Sequence, residues 1–398
     1  MAGLGSLPED YGRPLFSDEA RNRILSDVRT ALDQTVGYLL ATAACDRTDR
    51  LWPGEQELYS TNPMSLAYGA CGPALLLHEL DRLPVEVSDW LLNRDLSAED
   101  YPPGMYVGLG GIAYALQRLG CEDRADDAMV QLYRSRLKFE APHVMLGAAG
   151  WGLCSLHRFT RTGDRDHMVW ALRAAEFVID SAERRMDLLC WPVRSEERVH
   201  YGYGYGSSGI ALFMLHLHLL TGDATAKEVA VRALEFDLAH EEANEWGPTW
   251  RRWEEDPTIR PYWIHGAAGI GAVVIRFHQA LGSPRYLEIA RRIAESLFIK
   301  FTVTPGQFEG MAGIAEFLLD MYAATGEERY RDRAVDLAET ILWFQLRRPR
   351  GVAWPGVSLD KVSSDFSCGA AGVGLFFVRL LDSRPRLTFE LDHCLSER

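Results

Sequence analysis

The chain lacks a long apolar run, a secretion signal and an excess of positive charge. Its most apolar stretch, residues 210–220, is too short to cross a membrane and contains two histidines. Residues 1–16 have no basic segment followed by an apolar one, as a signal peptide would have. The 42 basic and 56 acidic side chains give a formal charge of -14, whereas nucleic acids and anionic membranes bind a clustered basic face. We therefore expect a cytoplasmic protein with no nucleic-acid partner and no membrane partner.

The sequence also has no C-x-x-C pair, and its seven cysteines are an odd number in a long chain. This pattern predicts reduced thiols rather than a disulfide framework. With 47% apolar residues the chain can bury a large core. Because 398 residues is long for one compact core, an internal repeat is the first feature to seek.

A glycine motif, G-x-x-G, occurs seven times. Successive copies begin 39 to 60 residues apart, which leaves room for two helices in each unit. The copies begin at Gly69, Gly108, Gly147, Gly206, Gly266, Gly310 and Gly369.

Apolar residues follow the motif at helical spacing. They occupy the next position and the positions three, four and seven residues further on, which predicts a helix with a buried face. The fourth copy is an example, since it is followed by Ile210, Phe213, Met214 and Leu217. The third copy breaks the pattern with Ser155 and Arg158.

A second glycine closes four of the units, 13 residues after the last glycine of the motif. These residues are Gly163, Gly222, Gly282 and Gly326. A glycine here suits a left-handed C-cap, and in three units an acidic residue follows that suits the start of the next helix. Each unit is therefore predicted to be an inner apolar helix, a tight turn and an outer amphipathic helix.

Such hairpins bury their apolar faces by stacking on one another, either in an open solenoid or in a closed ring. The length variation falls in the outer-to-inner connections, whereas solenoid periods are usually constant, so a ring is favoured. Glycines at the helix starts allow seven inner helices to crowd around one axis. The prediction is an all-α fold, a closed (α/α) toroid of seven inner and seven outer helices. It forms a single domain over 1–398, with an N-terminal extension (1–18) and a C-terminal tail (383–398).

Five segments carry a resemblance to a known family. They are 61–69 (TNPMSLAYG), 102–108 (PPGMYVG), 147–153 (GAAGWGL), 262–266 (YWIHG) and 310–320 (GMAGIAEFLLD). Through them the chain resembles the LanC-like family of lanthionine cyclases, and in particular the cyclase domains of kinase-fused class III and IV lanthipeptide synthetases. The resemblance covers residues 21–381 and implies the same toroid that the repeat count predicts.

The resemblance implies an enzyme that cyclises a ribosomally made precursor peptide. In this reaction a cysteine thiol adds to dehydroalanine or dehydrobutyrine to give a thioether, and separate kinase and lyase enzymes would be the partners that dehydrate the peptide. Zinc enzymes of the family activate the thiol with a cysteine in the fifth motif and a Cys-His pair in the sixth. Ile264, Phe308 and Glu309 stand at those positions here. Since no other Cys-His cluster has ligand spacing, we expect no metal, no cofactor and a zinc-independent cyclase.

The residue directly before each glycine motif is expected at the rim where the inner helices start. In order, these residues are Tyr68, Val107, Leu146, Tyr205, His265, Glu309 and Cys368. We interpret His265 as the general base for the thiol, Tyr205 as the proton donor and Glu309 as a group that orients one of them. Many relatives have a histidine where Tyr205 stands. Alternatively, His265 and Glu309 are hydrogen-bonded helix caps.

Aromatic residues near the motifs are candidates for gripping an extended peptide. Together with two residues near the last motif they form the predicted substrate-binding set: Tyr68, Tyr106, Trp151, Tyr203, Tyr262, Trp263, Asp365 and Cys368. The alternative is that the aromatic residues fill the core and that Cys368 is a small buried residue. No role is assigned to His200, His216, His218 or His278, which have no partner at metal-ligand spacing.

Two other function classes stay open. A catalytically silent LanC-like scaffold would bind precursor peptide or partner enzymes, and the missing zinc ligands favour that alternative. A glycan-processing enzyme is the third class, because helical toroids also host glycosidases. That chemistry needs two carboxylates across a cleft, and the rim positions offer Glu309, with Asp365 nearby.

Overall fold

The computed structural model describes residues 15–193 and 198–395. Within these residues the chain forms 15 α-helices and a few short strands. In chain order the helices are α1 (Asp18–Thr42), α2 (Glu57–Ser60), α3 (Cys71–Glu79), α4 (Val85–Leu92), α5 (Leu109–Arg118), α6 (Glu122–Arg134), α7 (Ala148–Thr162), α8 (Arg165–Asp180), α9 (Ser207–Thr221), α10 (Ala224–Ala239), α11 (Ala267–Leu281), α12 (Pro284–Ser296), α13 (Met311–Thr325), α14 (Glu328–Ile341) and α15 (Ala370–Asp382).

Seven helices start inside the glycine motifs and form an inner ring: α3, α5, α7, α9, α11, α13 and α15. Each packs against the next, and α15 packs against α3, which closes the circle. The even-numbered helices α4 to α14 each pack on the outside of the preceding inner helix, and α1 packs on α14 and α15 as the seventh outer helix. The predicted toroid of seven inner and seven outer helices is confirmed.

The helix ends follow the predicted turn chemistry. The closing glycines of α7, α9, α11 and α13 are all left-handed C-caps. Asp164 and Asp223 are N-caps whose carboxylates accept the backbone N–H groups of Asp166 and Thr225.

Glycine is required in the motifs because backbone groups approach them closely. A Cβ atom on Gly111 would lie 1.6 Å from the carbonyl oxygen of Met105. Gly266 has a φ of +99°, and a Cβ there would lie 1.7 Å from the Arg260 carbonyl oxygen. The connection before each motif therefore folds tightly over the start of its inner helix.

Backbone hydrogen bonds join these connections into a second closed circle at the rim. Ala67 N donates to the Tyr106 carbonyl at 2.8 Å, and Phe366 N donates to the Ala67 carbonyl at 3.0 Å, which links the last repeat to the first. The bonds in between run from Met105 N to Val144 O, Met145 N to Gly204 O, Gly204 N to Ile264 O, Ile264 N to Phe308 O and Phe308 N to Ser367 O.

Short antiparallel strands, which the helical repeat does not predict, occupy three of the long outer-to-inner connections, those before α9, α11 and α15. They are β1 (Glu183–Arg185), β2 (Leu188–Cys190), β3 (Pro192–Val193), β4 (Arg198–Val199), β5 (Glu242–Asn244), β6 (Gly247–Thr249), β7 (Leu346–Arg348), β8 (Gly351–Pro355) and β9 (Val362–Ser363). They pair as β1-β2, β3-β4, β5-β6 and β7-β8-β9. These pairs satisfy backbone groups that a long irregular connection would leave without partners.

The described part of the predicted C-terminal tail, residues 383–395, packs against the inner helices. Phe389 and Arg386 are buried, and a 3-10 helix covers Glu390–Leu395. Arg386 pairs with Asp320 of α13 at 3.0 Å, and Asp392 pairs with Arg276 of α11 at 2.7 Å. These partners lie toward the carboxyl ends of the inner helices, so the segment closes the end of the toroid opposite the rim.

The predicted N-terminal extension falls outside the described residues as far as residue 14, and α1 begins at Asp18. No helix in the described part of the chain is both long enough and apolar enough to span a membrane.

Candidate functional site

A cavity of about 210 Å3 opens at the rim, where the inner helices begin. Five of the seven residues that precede the glycine motifs line it: Tyr68, Tyr205, His265, Glu309 and Cys368. Each directly precedes a glycine motif, so repeats distant in sequence supply one shared cavity. The other two predicted rim residues, Val107 and Leu146, are apolar and are not part of its lining.

A larger cavity of about 590 Å3 lies at the opposite end, against the C-terminal segment. Much of its charged lining is already joined in ion pairs: Arg118 with Glu79, Arg379 with Glu316, and Arg386 with Asp320. The rim cavity is therefore the better candidate for chemistry, although it is the smaller of the two.

His265 and Tyr205 lie face to face in the rim cavity. Their ring centroids are 5.5 Å apart and the ring planes differ by 11°. The contact depends on close packing of two connections, because Gly202 has a φ of +103° and a Cβ there would lie 2.8 Å from the Cα of His265. This explains why glycine interrupts the tyrosine run before the fourth motif.

His265 is held in its neutral form. The side chain is 2% exposed, and burial, together with the positive charge of Arg252 and the neighbouring His200, lowers its pKa well below the usual range. A neutral imidazole can accept a proton, and the imidazolium that results is a strong acid in these surroundings.

Two further histidines lie beside this pair: His200, to which the sequence assigned no role, and His143, which the sequence did not single out. The ring of His200 lies 5.4 Å from that of His265 and 5.9 Å from that of Tyr205. The ring of His143 lies 6.0 Å from that of Tyr205, and burial lowers the pKa of His143 to about 3. The signal available in the sequence was that each precedes a glycine motif by only a few residues.

Glu309 lines the same cavity as His265 and Tyr205, one of which it was expected to orient. Its backbone carbonyl accepts the hydroxyl of Thr304. Within residues 15–193 and 198–395, its carboxylate forms no hydrogen bond or ion pair. The orienting role of Glu309 stays a prediction.

Cys368 and Asp365 form a buried polar group at the start of α15. The Cys368 thiol lies 3.4 Å from Asp365 Oδ1 and 3.7 Å from Glu55 Oε1. Burial and these two carboxylates raise the pKa of Cys368 well above its usual range, so it is a protonated thiol rather than a nucleophile. Asp365 also accepts the Ser363 hydroxyl at 2.6 Å and the Cys368 N–H at 2.9 Å, which makes it a helix-start cap.

Four of the aromatic residues expected to grip a peptide fill the core instead. Tyr106, Tyr203 and Trp263 are at most 1% exposed and pack on one another near the ring centre, with Trp263 centroids 5.3 Å from Tyr106 and 4.6 Å from Tyr203. Trp151 is fully buried and donates to the Lys138 carbonyl at 2.9 Å. Tyr262 is half-buried and does not line the cavity.

The side chains at the positions of the family's zinc ligands do not fit a zinc ion. Ile264, Phe308 and Glu309 do converge on the rim cavity. However, isoleucine and phenylalanine offer no donor atom. In the part of the chain that the structure describes, no group of three or more His, Cys, Asp or Glu side chains could hold a metal.

The cavity also contains residues from the connections, which no repeat pattern could locate. Arg252 comes from the connection after α10, and Glu57 and Val357 are exposed residues at its mouth. Their place in the cavity depends on how long loops fold over the rim, and loop paths carry no helical periodicity.

Comparison with known proteins gives consistent matches over most of the chain. Residues 60–392 match a family described as lanthionine synthetase C-like protein. The chain is similar to a probable SapB synthase of Streptomyces coelicolor, with 29% identity over 360 residues. That match covers 89% of this chain and 38% of the relative, so the chain spans well under half of the relative's length.

Two solved structures share the architecture. A nisin cyclase has a TM-score of 0.66 at 14% identity, with 95% of this chain and 98% of the other covered. An inactive variant of an α-1,6-mannanase from Salegentibacter has a TM-score of 0.52 at 14% identity, with 90% and 98% covered. At these identities the two structures establish a common fold and nothing further.

Proposed function

The chain belongs to the lanthionine synthetase C-like family, and from this premise we propose that it is an enzyme that closes thioether rings in a peptide. Its substrate would be a ribosomally made precursor that contains cysteine and either dehydroalanine or dehydrobutyrine. The observation that carries the proposal is the rim cavity, where a neutral buried imidazole lies face to face with a tyrosine.

The proposed reaction is an addition without net oxidation or reduction. The substrate thiol loses its proton, and its sulfur forms a bond to the β-carbon of the dehydro residue. The electron pair of the carbon–carbon double bond moves to the carbonyl oxygen and gives an enolate. Protonation of the α-carbon then completes the thioether.

His265 and Tyr205 suit the two proton transfers. His265 accepts the thiol proton on an imidazole that burial keeps neutral, and its low pKa lets the imidazolium pass that proton on. Tyr205 donates a proton to the α-carbon, and the imidazolium of His265 then returns the thiol proton to Tyr205. Groups in this role contribute a factor of roughly 10² to 10⁴ in rate.

The rim also favours the two anions of the reaction. The inner helices all start there, and the partial positive charge of a helix N-terminus stabilises an anion near it. A thiolate and an enolate would both benefit from this field.

We propose that the chain works without zinc. Two of the three side chains at the family's zinc positions, Ile264 and Phe308, are hydrocarbons that can pack against substrate but cannot bind a metal. The thiol would therefore be activated by His265 and the local field.

We also propose that separate kinase and lyase enzymes supply the dehydrated peptide, since addition of a thiol creates no dehydro residue. We propose a cytoplasmic location, where the thiols of the protein and of its substrate stay reduced. All seven cysteines are free thiols, as a reducing compartment would maintain them.

The test is cyclisation in vitro in the presence of a chelator. The purified protein is mixed with a dehydrated, cysteine-containing precursor, and the free thiols are counted by alkylation and mass spectrometry. The proposal predicts loss of thiols with no change in peptide mass before alkylation.

Peptide binding is measured in parallel by fluorescence anisotropy. Binding without thiol loss would contradict the cyclase and favour a scaffold that holds the precursor. Activity that disappears with the chelator and returns with added zinc would contradict zinc independence alone.

A further inference from the structure

Arg252 is a cation in the rim cavity that has no ion-pair partner within the described residues 15–193 and 198–395. It is half-buried, and its guanidinium lies against the ring of its neighbour Trp253, 5.1 Å from the centroid. Its Nε atom is buried without a hydrogen-bond partner there. Its terminal nitrogens also form no hydrogen bond within the described residues, so the guanidinium has donors available for an oxygen anion in the cavity.

Two nearby arginines, Arg251 and Arg260, differ from Arg252 because each is paired with a carboxylate. Arg251 binds Glu242 at 2.6 Å and the Asp256 carbonyl at 2.6 Å, and Arg260 lies 3.5 Å from Asp256. Neither of them lines the cavity. Of these three neighbouring arginines, Arg252 alone combines access to the cavity with freedom to bind a ligand.

The shared cavity of Arg252 and His265 indicates which atom of the substrate Arg252 would contact. Both side chains line the cavity, and after burial the positive charge of Arg252 is the next cause that lowers the pKa of His265. A neutral proton acceptor and a cation suit different atoms of the substrate, the thiol and the oxygen that gains negative charge. Since His265 would receive the thiol proton, Arg252 is left to face the carbonyl oxygen on which the addition places negative charge.

Resting on the proposed cyclisation, we propose that Arg252 is a catalytic residue whose guanidinium binds the carbonyl oxygen of the dehydro residue and stabilises the enolate. The guanidinium provides fixed donors and a full charge at the atom where charge develops, which stabilises the transition state more than the ground state. The substrate class that follows is a dehydro residue whose own carbonyl belongs to an intact peptide bond.

The experiment compares Arg252→Gln and Arg252→Lys with wild type and with Arg251→Gln. Arg251 is a matched control because it is the adjacent arginine, is bound to Glu242 and lies outside the cavity lining. Rates of thiol loss are measured over a range of peptide concentrations, and thermal unfolding shows that each variant is folded.

The expected result is a fall in kcat of about 10² to 10³ for Arg252→Gln with KM changed less than threefold, because the contact forms as charge develops. The kcat of Arg252→Lys should be at least about tenfold higher than that of Arg252→Gln, since lysine restores a positive charge without the guanidinium geometry. Arg251→Gln should stay within twofold of wild type.

A kcat for folded Arg252→Gln within threefold of an active wild type would overturn the assignment of Arg252 alone. The same is true if Arg252→Lys, folded and able to bind peptide, is no better than Arg252→Gln. A wild-type protein that consumes no thiol would instead overturn the proposed function and, with it, this assignment.

Discussion

The imidazole of His265 and the phenol of Tyr205 are stacked, with ring centroids 5.5 Å apart and an angle of 11° between the ring planes. They come from consecutive repeats whose motifs start at Gly206 and Gly266, so the ring fold creates the pair. Both rings line the same cavity, which allows them to act on one substrate.

Replacing Tyr205 with phenylalanine tests the proton-donor role. The variant keeps the aromatic ring that stacks on His265 and removes only the hydroxyl. We expect kcat for thiol loss to fall by roughly 10² with little change in thermal stability, since proton transfer to the α-carbon is lost. Unchanged kcat would assign the proton to another donor.

The motif glycines and the closing glycines should respond differently to alanine. A Cβ on Gly111 meets the Met105 carbonyl oxygen at 1.6 Å, so Gly111→Ala should cost about 3 kcal/mol or more of unfolding free energy. Gly222 has a φ of +74° and open space around it, so Gly222→Ala should cost about 1 to 2 kcal/mol through backbone strain. Urea unfolding measures both, and equal losses would contradict the packing at the rim.

The ionic network under the C-terminal segment should depend on Asp320. Its carboxylate is shared by three buried arginines, with distances of 3.0 Å to Arg276, 2.7 Å to Arg379 and 3.0 Å to Arg386. Asp320→Asn leaves three buried arginines with two carboxylates, Glu316 and Asp392, so one buried positive charge is uncompensated and we expect a loss of about 3 to 5 kcal/mol.

The control for Asp320 is the exposed Arg285, which pairs with half-buried Glu235; Arg285→Ala should change stability by less than about 1 kcal/mol. A similar small effect of Asp320→Asn in urea unfolding would show that the C-terminal segment is not held by this network.

Buried His216 should make the fold less stable in acid. Burial, with the charges of Arg276 and His393, lowers its pKa to about 3. The unfolded chain therefore takes up a proton at His216 as pH falls below about 6.5, whereas the folded chain does not until about pH 3. Stability that is present above pH 6.5 is thus lost as pH falls through that window.

The slope from this one group approaches about 1.4 kcal/mol per pH unit. His216→Met has a side chain of comparable length and no titration, so its unfolding free energy should decline less steeply between pH 6 and pH 4. If the unfolding free energies of wild type and His216→Met fall in parallel with pH, the pKa of His216 is not depressed in the folded protein.

The sequence predicts the toroid well because glycine positions and apolar spacing are local consequences of helix geometry. The same regularity places Tyr68, Tyr205, His265, Glu309 and Cys368 in one cavity, since each precedes a motif. The identity of the family also follows from these segments.

Other features depend on tertiary packing that leaves no period in the sequence. Tyr106, Tyr203 and Trp263 precede or adjoin motifs as the lining residues do, yet their side chains turn into the core. Arg252 reaches the cavity from a long connection, and the last residues fold back because their charges have partners on α11 and α13.

The role of His265 in zinc-independent cyclisation is tested by comparing thiol loss by wild type, His265→Ala and His240→Ala in the presence of a chelator. His240 is a half-buried histidine whose Nδ1 lies 2.8 Å from the Phe236 carbonyl, outside the cavity lining, so it controls for loss of an imidazole. We predict that wild type and His240→Ala close the rings at similar rates and that His265→Ala is slower by roughly 10² to 10⁴. A folded His265→Ala protein that closes rings at the wild-type rate would contradict the role of His265 as the general base.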